Sequence, residues 1–133
     1  MTIFGRMRVK FPTTVLTNDA RNGYIDDVRG WDFVSNDNNP MDGNFDGHGT
    51  HVEGAIAAEQ NDFGITGVAY NAKIMPVRVL PTFGYGKGNN IAAGIRYAAE
   101  NGANVINYSL GGCFLAGRLM RQFSTQLTKE LLS

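Results

Sequence analysis

Apolar and polar positions change their rhythm several times along the chain. Residues 1–17 mix apolar, basic and hydroxyl side chains without a clear period, so no element is predicted there. Residues 18–47 are rich in Asn, Asp and Gly around one apolar island, Trp31-Asp32-Phe33-Val34. That composition predicts a loop, a short strand and a second, long loop. From His48 the period becomes helical: Val52, Ala55, Ile56 and Glu59 fall at i, i+3, i+4 and i+7, predicting a helix over 48–60. Gly49 and Gly54 weaken that helix on propensity alone, so they imply close packing against it. Asn61-Asp62-Phe63-Gly64-Ile65-Thr66-Gly67 predicts a turn-rich loop.

Lys73-Ile74-Met75-Pro76-Val77-Arg78-Val79-Leu80 reads as a strand in which Pro76 needs an irregular or non-donating position. After a glycine-rich loop at 83–88, Asn89 is the predicted cap of a helix running to about Glu100. Ile91, Ala92, Ile95, Ala98 and Ala99 share one face of it. Asn101-Gly102 ends that helix, and residues 104–110 form the next strand. Strand, helix and strand at this spacing predict a βαβ unit, hence parallel pairing and an α/β fold. Residues 113–133 carry no glycine beyond Gly117 and predict a polar-faced helix. No internal repeat is present.

Composition narrows the classes. The 133 residues suffice for one modest domain with a core. Twelve Lys and Arg balance twelve Asp and Glu, so the charge gives no reason to expect nucleic acid or an anionic membrane as partner. No apolar run is long enough to span a bilayer. Arg6, Arg8 and Lys10 are followed by no apolar h-region, so no signal peptide is predicted. Cys113 is the one cysteine, which excludes an internal disulfide and leaves the compartment open; it is expected to be a small buried residue. Asn107-Tyr108-Ser109 is formally a glycosylation sequon, discounted because it falls in a predicted buried strand.

The chemistry concentrates in Asp46-Gly47-His48-Gly49-Thr50-His51-Val52-Glu53-Gly54-Ala55. A polar loop delivers a histidine to the start of a small-residue helix, an arrangement suited to a general base. A zinc reading of His48, His51 and Asp46 is disfavoured, since the HExxH pattern is absent. The segment resembles the histidine motif of the subtilisin-like serine peptidases, His-Gly-Thr-His-Val-Ala-Gly. The resemblance extends over 18–112. Gly30-Trp31-Asp32-Phe33, Gly67-Val68-Ala69, Ile74 to Leu80, Gly94-Ile95-Arg96-Tyr97-Ala98 and Asn104 to Gly112 are similar to family segments in the same order.

The resemblance implies part of a three-layer α/β fold, a mostly parallel sheet flanked by helices. Residues 1–17 stay unassigned, 18–112 form a partial catalytic domain, and 113–133 form a divergent, helical tail. It implies hydrolysis of peptide bonds in a peptide or protein substrate, with His48 as the catalytic base and His51 as a structural neighbour. Gly84, Tyr85 and Gly86, with Ser109, Leu110 and Gly111, map to the two strands that flank an extended substrate. This is β-augmentation, in which small residues leave room for side-chain pockets. Family calcium loops imply structural Ca²⁺ at Asp32, Ser35, Asp37, Asn39 and Asp42, and at Asn61 with the carbonyls of Glu59, Phe63 and Ile65. No organic cofactor is implied. Family members are often secreted.

The departures set further expectations. Neither an Asp-Thr-Gly motif before the histidine nor a Gly-Thr-Ser-Met-Ala motif after it occurs. The chain is therefore expected to be a fragment or truncated product, inactive by itself without the missing parts of its catalytic domain. The alternative is a non-catalytic remnant that binds peptide or calcium. Phe45-Asp46 look inserted. Glu53 replaces a family alanine on a central helix, so it needs a partner, exposure or a raised pKa.

Overall fold

The computed structural model describes residues 2–5, 22–42, 47–83 and 85–109. In chain order the elements are β1 (Thr2–Gly5), β2 (Trp31–Asp32), α1 (His48–Ala57), β3 (Ile74–Arg78), α2 (Gly88–Glu100) and β4 (Ala103–Asn107). One sheet gathers the strands in the order β2-β3-β1-β4. β2 pairs with β3 in parallel, Trp31 opposite Val77 and Asp32 opposite Arg78. β1 pairs antiparallel with both β3 and β4, so β2, β3 and β4 all point the same way. The predicted helices and strands recur with ends shifted by up to three residues, and the predicted α/β class holds; β3 and β4, predicted to pair in parallel, point the same way but have β1 between them. The predicted tail at 113–133 lies outside the described residues.

Two details correct the sequence reading. The sequence predicts no element in residues 1–17, yet Thr2–Gly5 supplies a mid-sheet strand. The cap of α2 is Lys87 in extended conformation, with no side-chain bond, and Asn89 lies inside the first turn.

β3 alternates in burial along its length, as a strand packed on one face must. Met75, Val77 and the following Val79 turn inward to meet Tyr97 and Ala98 of α2 and Trp31 of β2. Tyr24 stacks edge-on against Trp31, Phe33 and Tyr97, with centroids 5.0, 5.7 and 4.8 Å apart. Edge-to-face geometry of this kind adds to the burial of the rings. The core thus sits between the sheet and α2, roofed by the 22–33 segment. α1 contributes no fully buried residue to it.

Polar bonds stitch that roof down. The Tyr97 hydroxyl donates to Asp27 Oδ2 at 2.8 Å, and Asn22 Nδ2 donates to the same oxygen at 2.7 Å. Asn22 also reaches Asn101 Oδ1 at the end of α2, at 2.8 Å. Burial first, then the hydrogen bond to Asp27, raises the pKa of Tyr97 well above its ordinary value. On the far side of the sheet edge, Arg78 pairs with Asp32 at 2.6 Å and donates to Thr82 Oγ1 at 3.0 Å. Asp32 is only 1% exposed.

Candidate active site

His48 is the first residue of α1 and is exposed, as is His51 one turn later. What distinguishes α1 is how its ends are held. At the start, Gly47 takes a left-handed conformation with φ 55° and offers no capping side chain. The cap comes instead from Asp42, whose Oδ2 accepts the Thr50 N–H at 2.8 Å. A carboxylate there satisfies an orphan donor and opposes the positive end of the helix dipole. Gly49 eases this approach: a Cβ on it would lie 3.2 Å from Asp42 Oδ2, a tight contact. Asp42 was expected among the cation ligands; its carboxylate serves the helix.

At the other end, residues 67–69 run alongside the last turn. Gly67, Val68 and Ala69 donate their N–H groups to the carbonyls of Ala58, Ala55 and Ile56 at 2.9, 3.2 and 2.7 Å. These are carbonyls that a helix end otherwise leaves unpaired. The Gly-Val-Ala motif is therefore a backbone clasp on the histidine-bearing helix. Sequence reasoning found the motif but had no signal for that role.

Glu53 lies on α1, half-buried. Burial, and then the nearby Asp42 carboxylate, push its pKa above the ordinary value. Of the three courses open to it, Glu53 takes the raised pKa.

The other expected site residues are placed as follows. Tyr85 is 99% exposed, and Gly86 rests against the Leu80 side chain. Ser109 is exposed and accepts a hydrogen bond from Asn107 Nδ2 at 2.8 Å. Both segments leave the C-terminal ends of parallel strands, β3 and β4, where open α/β sheets place their sites. Gly84, Leu110 and Gly111 lie outside the described residues. The Asn107 sequon is not deeply buried, contrary to the sequence reading; its Asn107–Ser109 bond is exposed.

In the loop after β2 and at Asn61, expected oxygen ligands have protein partners. Asp32 Oδ2 is taken by Arg78, and Oδ1 accepts the N–H groups of Val34 and Ser35 at 2.7 and 3.1 Å. Asp37 Oδ1 accepts the Asn39 N–H, and both residues face solvent. Asn61 Oδ1 accepts the Phe63 N–H. Among the described residues no three His, Cys, Asp or Glu side chains converge.

His48 thus stands exposed at the head of a helix that is held at both ends. The family model described as the subtilase family matches residues 10–130, and the chain belongs to that family. The match runs past both ends of the 18–112 span. Thermitase of Thermoactinomyces vulgaris is 54% identical over 86 residues, 64% of this chain and 30% of that protein. The cell wall-associated protease of Bacillus subtilis (strain 168) is 54% identical over 84 residues, 62% of this chain and 9% of that protein. The thermophilic serine proteinase of Bacillus sp. (strain AK1) is 53% identical over 85 residues, covering 63% and 21%. The matched stretch is thus a third or less of each relative's length. No solved structure matches the chain.

Proposed function

We propose that this chain carries the histidine-bearing part of a serine endopeptidase domain that hydrolyses peptide bonds in extended polypeptide substrates. His48 is its general base. The observation that carries the reading is the bracing of α1: Asp42 at one end and Gly67–Ala69 at the other fix the helix whose first residue is His48. A base must be held in place to take the nucleophile's proton and return it to the leaving amine. Among the described residues no hydrogen bond is made to the His48 imidazole. Its tautomer would be set by an aspartate, and its proton supplied by a serine, from outside the motifs present in this sequence.

Tyr85–Gly86 and Ser109 would line the substrate by backbone pairing. The test is a graft: the matching stretch of a thermitase domain is exchanged for that of this chain, and turnover of a peptide p-nitroanilide is followed. Turnover abolished by His48→Ala supports the reading. A folded graft that binds peptide without turnover, and is indifferent to His48→Ala, sinks it and supports a non-catalytic peptide-binding remnant.

A further inference from the structure

The chain contains two Asn-Gly pairs, Asn22-Gly23 and Asn101-Gly102. Asparagine is among the chemically labile residues, and a following glycine offers a backbone nitrogen with no side chain to shield it. The fold brings the two pairs together although 79 residues separate them: Asn22 Nδ2 donates to Asn101 Oδ1 at 2.8 Å. Neither pair takes part in the chemistry proposed for His48.

The two pairs differ in how the glycine nitrogen is held. The Gly102 N–H is engaged, donating to the Ala99 carbonyl at 3.2 Å. Asn101 closes α2, and its own N–H and its Nδ2 both donate to the Tyr97 carbonyl, at 3.0 and 2.8 Å. Gly23 is exposed, and its N–H has no backbone acceptor among the described residues. Asn22 Oδ1 accepts the Tyr24 N–H at 2.9 Å, a turn that folds the carboxamide back over the Gly23 nitrogen. That same N–H can hydrogen-bond the oxyanion that forms as Asn22 Cγ becomes tetrahedral.

We propose that Asn22 is a deamidation site and that its conversion releases the 22–33 roof from the end of α2. The Gly23 nitrogen gives its proton to solvent hydroxide and bonds to Asn22 Cγ. The Cγ–Nδ2 bond breaks, and Nδ2 takes a proton from water and leaves as ammonia. A second water opens the cyclic imide at either carbonyl, leaving aspartate or isoaspartate; nothing is oxidised or reduced. The product lacks the donor that held the roof. Its new oxygen would stand where Nδ2 stood, 2.7 Å from Asp27 Oδ2 and 2.8 Å from Asn101 Oδ1. Both hydrogen bonds become contacts between acceptors, one of them between two carboxylates in a part-buried place. Asp27 Oδ2 also accepts the Tyr97 hydroxyl, so repulsion there bears directly on the core beneath. Isoaspartate adds a carbon to the main chain just ahead of Tyr24, whose ring lies against Trp31 and Tyr97.

The experiment holds the full chain in mildly alkaline buffer and follows the mass gained at each pair as amide becomes acid, after acid quenching and pepsin digestion. In the folded chain Asn22 should convert roughly tenfold or more faster than Asn101, whose glycine nitrogen is freed only by local opening. In urea both pairs are open, and the two rates should come within about threefold of each other. Asn22→Asp should shift the emission of Trp31, the single tryptophan, to the red as the roof lifts from it. No conversion at Asn22, conversion at Asn101 that is as fast or faster in the folded chain, or a preference for Asn22 that persists in urea would each overturn the proposal. So would unmoved Trp31 emission in Asn22→Asp. Should that variant fail to fold, the aged wild-type chain decides. Its Trp31 emission should shift in step with the mass gained at Asn22, and emission that stays fixed as Asn22 converts would overturn the proposal.

Discussion

Two glycines near one helix should respond to alanine in opposite ways. A Cβ on Gly67 would lie 2.5 Å from the backbone nitrogens of Ala57 and Ala58 and 2.6 Å from the carbonyl carbon of Ile56. These are backbone atoms and cannot swing aside, so either the last turn of α1 moves or residues 67–69 leave it. The second course sacrifices the three clasp bonds to Ala58, Ala55 and Ile56, each worth about 1 kcal/mol net. The first is overpacking, at about 1–3 kcal/mol. Gly67→Ala should therefore destabilise by roughly 2–3 kcal/mol, or about 4 °C in Tm per kcal/mol at this chain length. Gly54 lies inside α1 with nothing within 4 Å of its Cβ position. Gly54→Ala should stabilise by about 0.5–1 kcal/mol, because the unfolded chain loses freedom. Urea denaturation gives both numbers, and amide exchange at 67–69 identifies the mechanism. A Gly67→Ala chain within about 0.5 kcal/mol of wild type, with those amides still protected, would refute the clasp.

Other substitutions probe the polar bonds. Arg78→Met strands the buried Asp32 carboxylate and should destabilise by about 3 kcal/mol, with Asp32→Asn in the same chain recovering part of the loss in a double-mutant cycle. Tyr97 has a folded pKa above its unfolded value of 10.0, so its contribution is complete below pH 10 and fades as pH rises past it; in Tyr97→Phe that alkaline loss should shrink, as read by denaturation midpoints across pH. Glu53 is likewise raised above its unfolded 4.5, so it favours the folded state only in acid and loses that effect as pH climbs. Glu53→Gln should therefore be more stable than wild type at pH 7, and a less stable variant would contradict the account.

What the sequence could convey depended on range. α2 and β3 were legible because Ile91, Ile95 and Ala98 repeat at helical spacing and Met75, Val77 and Val79 alternate, both local signals. Tyr97 was not assigned to the buried face of α2. It is buried because its hydroxyl finds Asp27, seventy residues earlier, and no periodicity reports such a partner. β1 was invisible for the same reason: Thr2–Gly5 has no pattern of its own and is a strand because two others flank it. Asp42 was noticed as an oxygen-rich loop residue. Its use was decided by where the first turn of α1 lies in space, with Thr50 eight residues on.

The histidine motif can be separated into chemistry and support. His48 supplies the imidazole. Gly49 admits the Asp42 carboxylate, and Gly67 admits the clasp on the last turn. Neither glycine touches a reacting group; Gly67 is required by backbone that comes too close for a side chain, while Gly49 sits in tight contact with a carboxylate. Both braces lie within residues 42–69, so the helix that carries His48 is secured by its own neighbourhood. The orientation of the imidazole about its own bonds is a different matter: it depends on a partner for Nδ1. Local sequence can therefore fix where the base stands. On the proposed reading, the partner that orients its imidazole lies outside that neighbourhood.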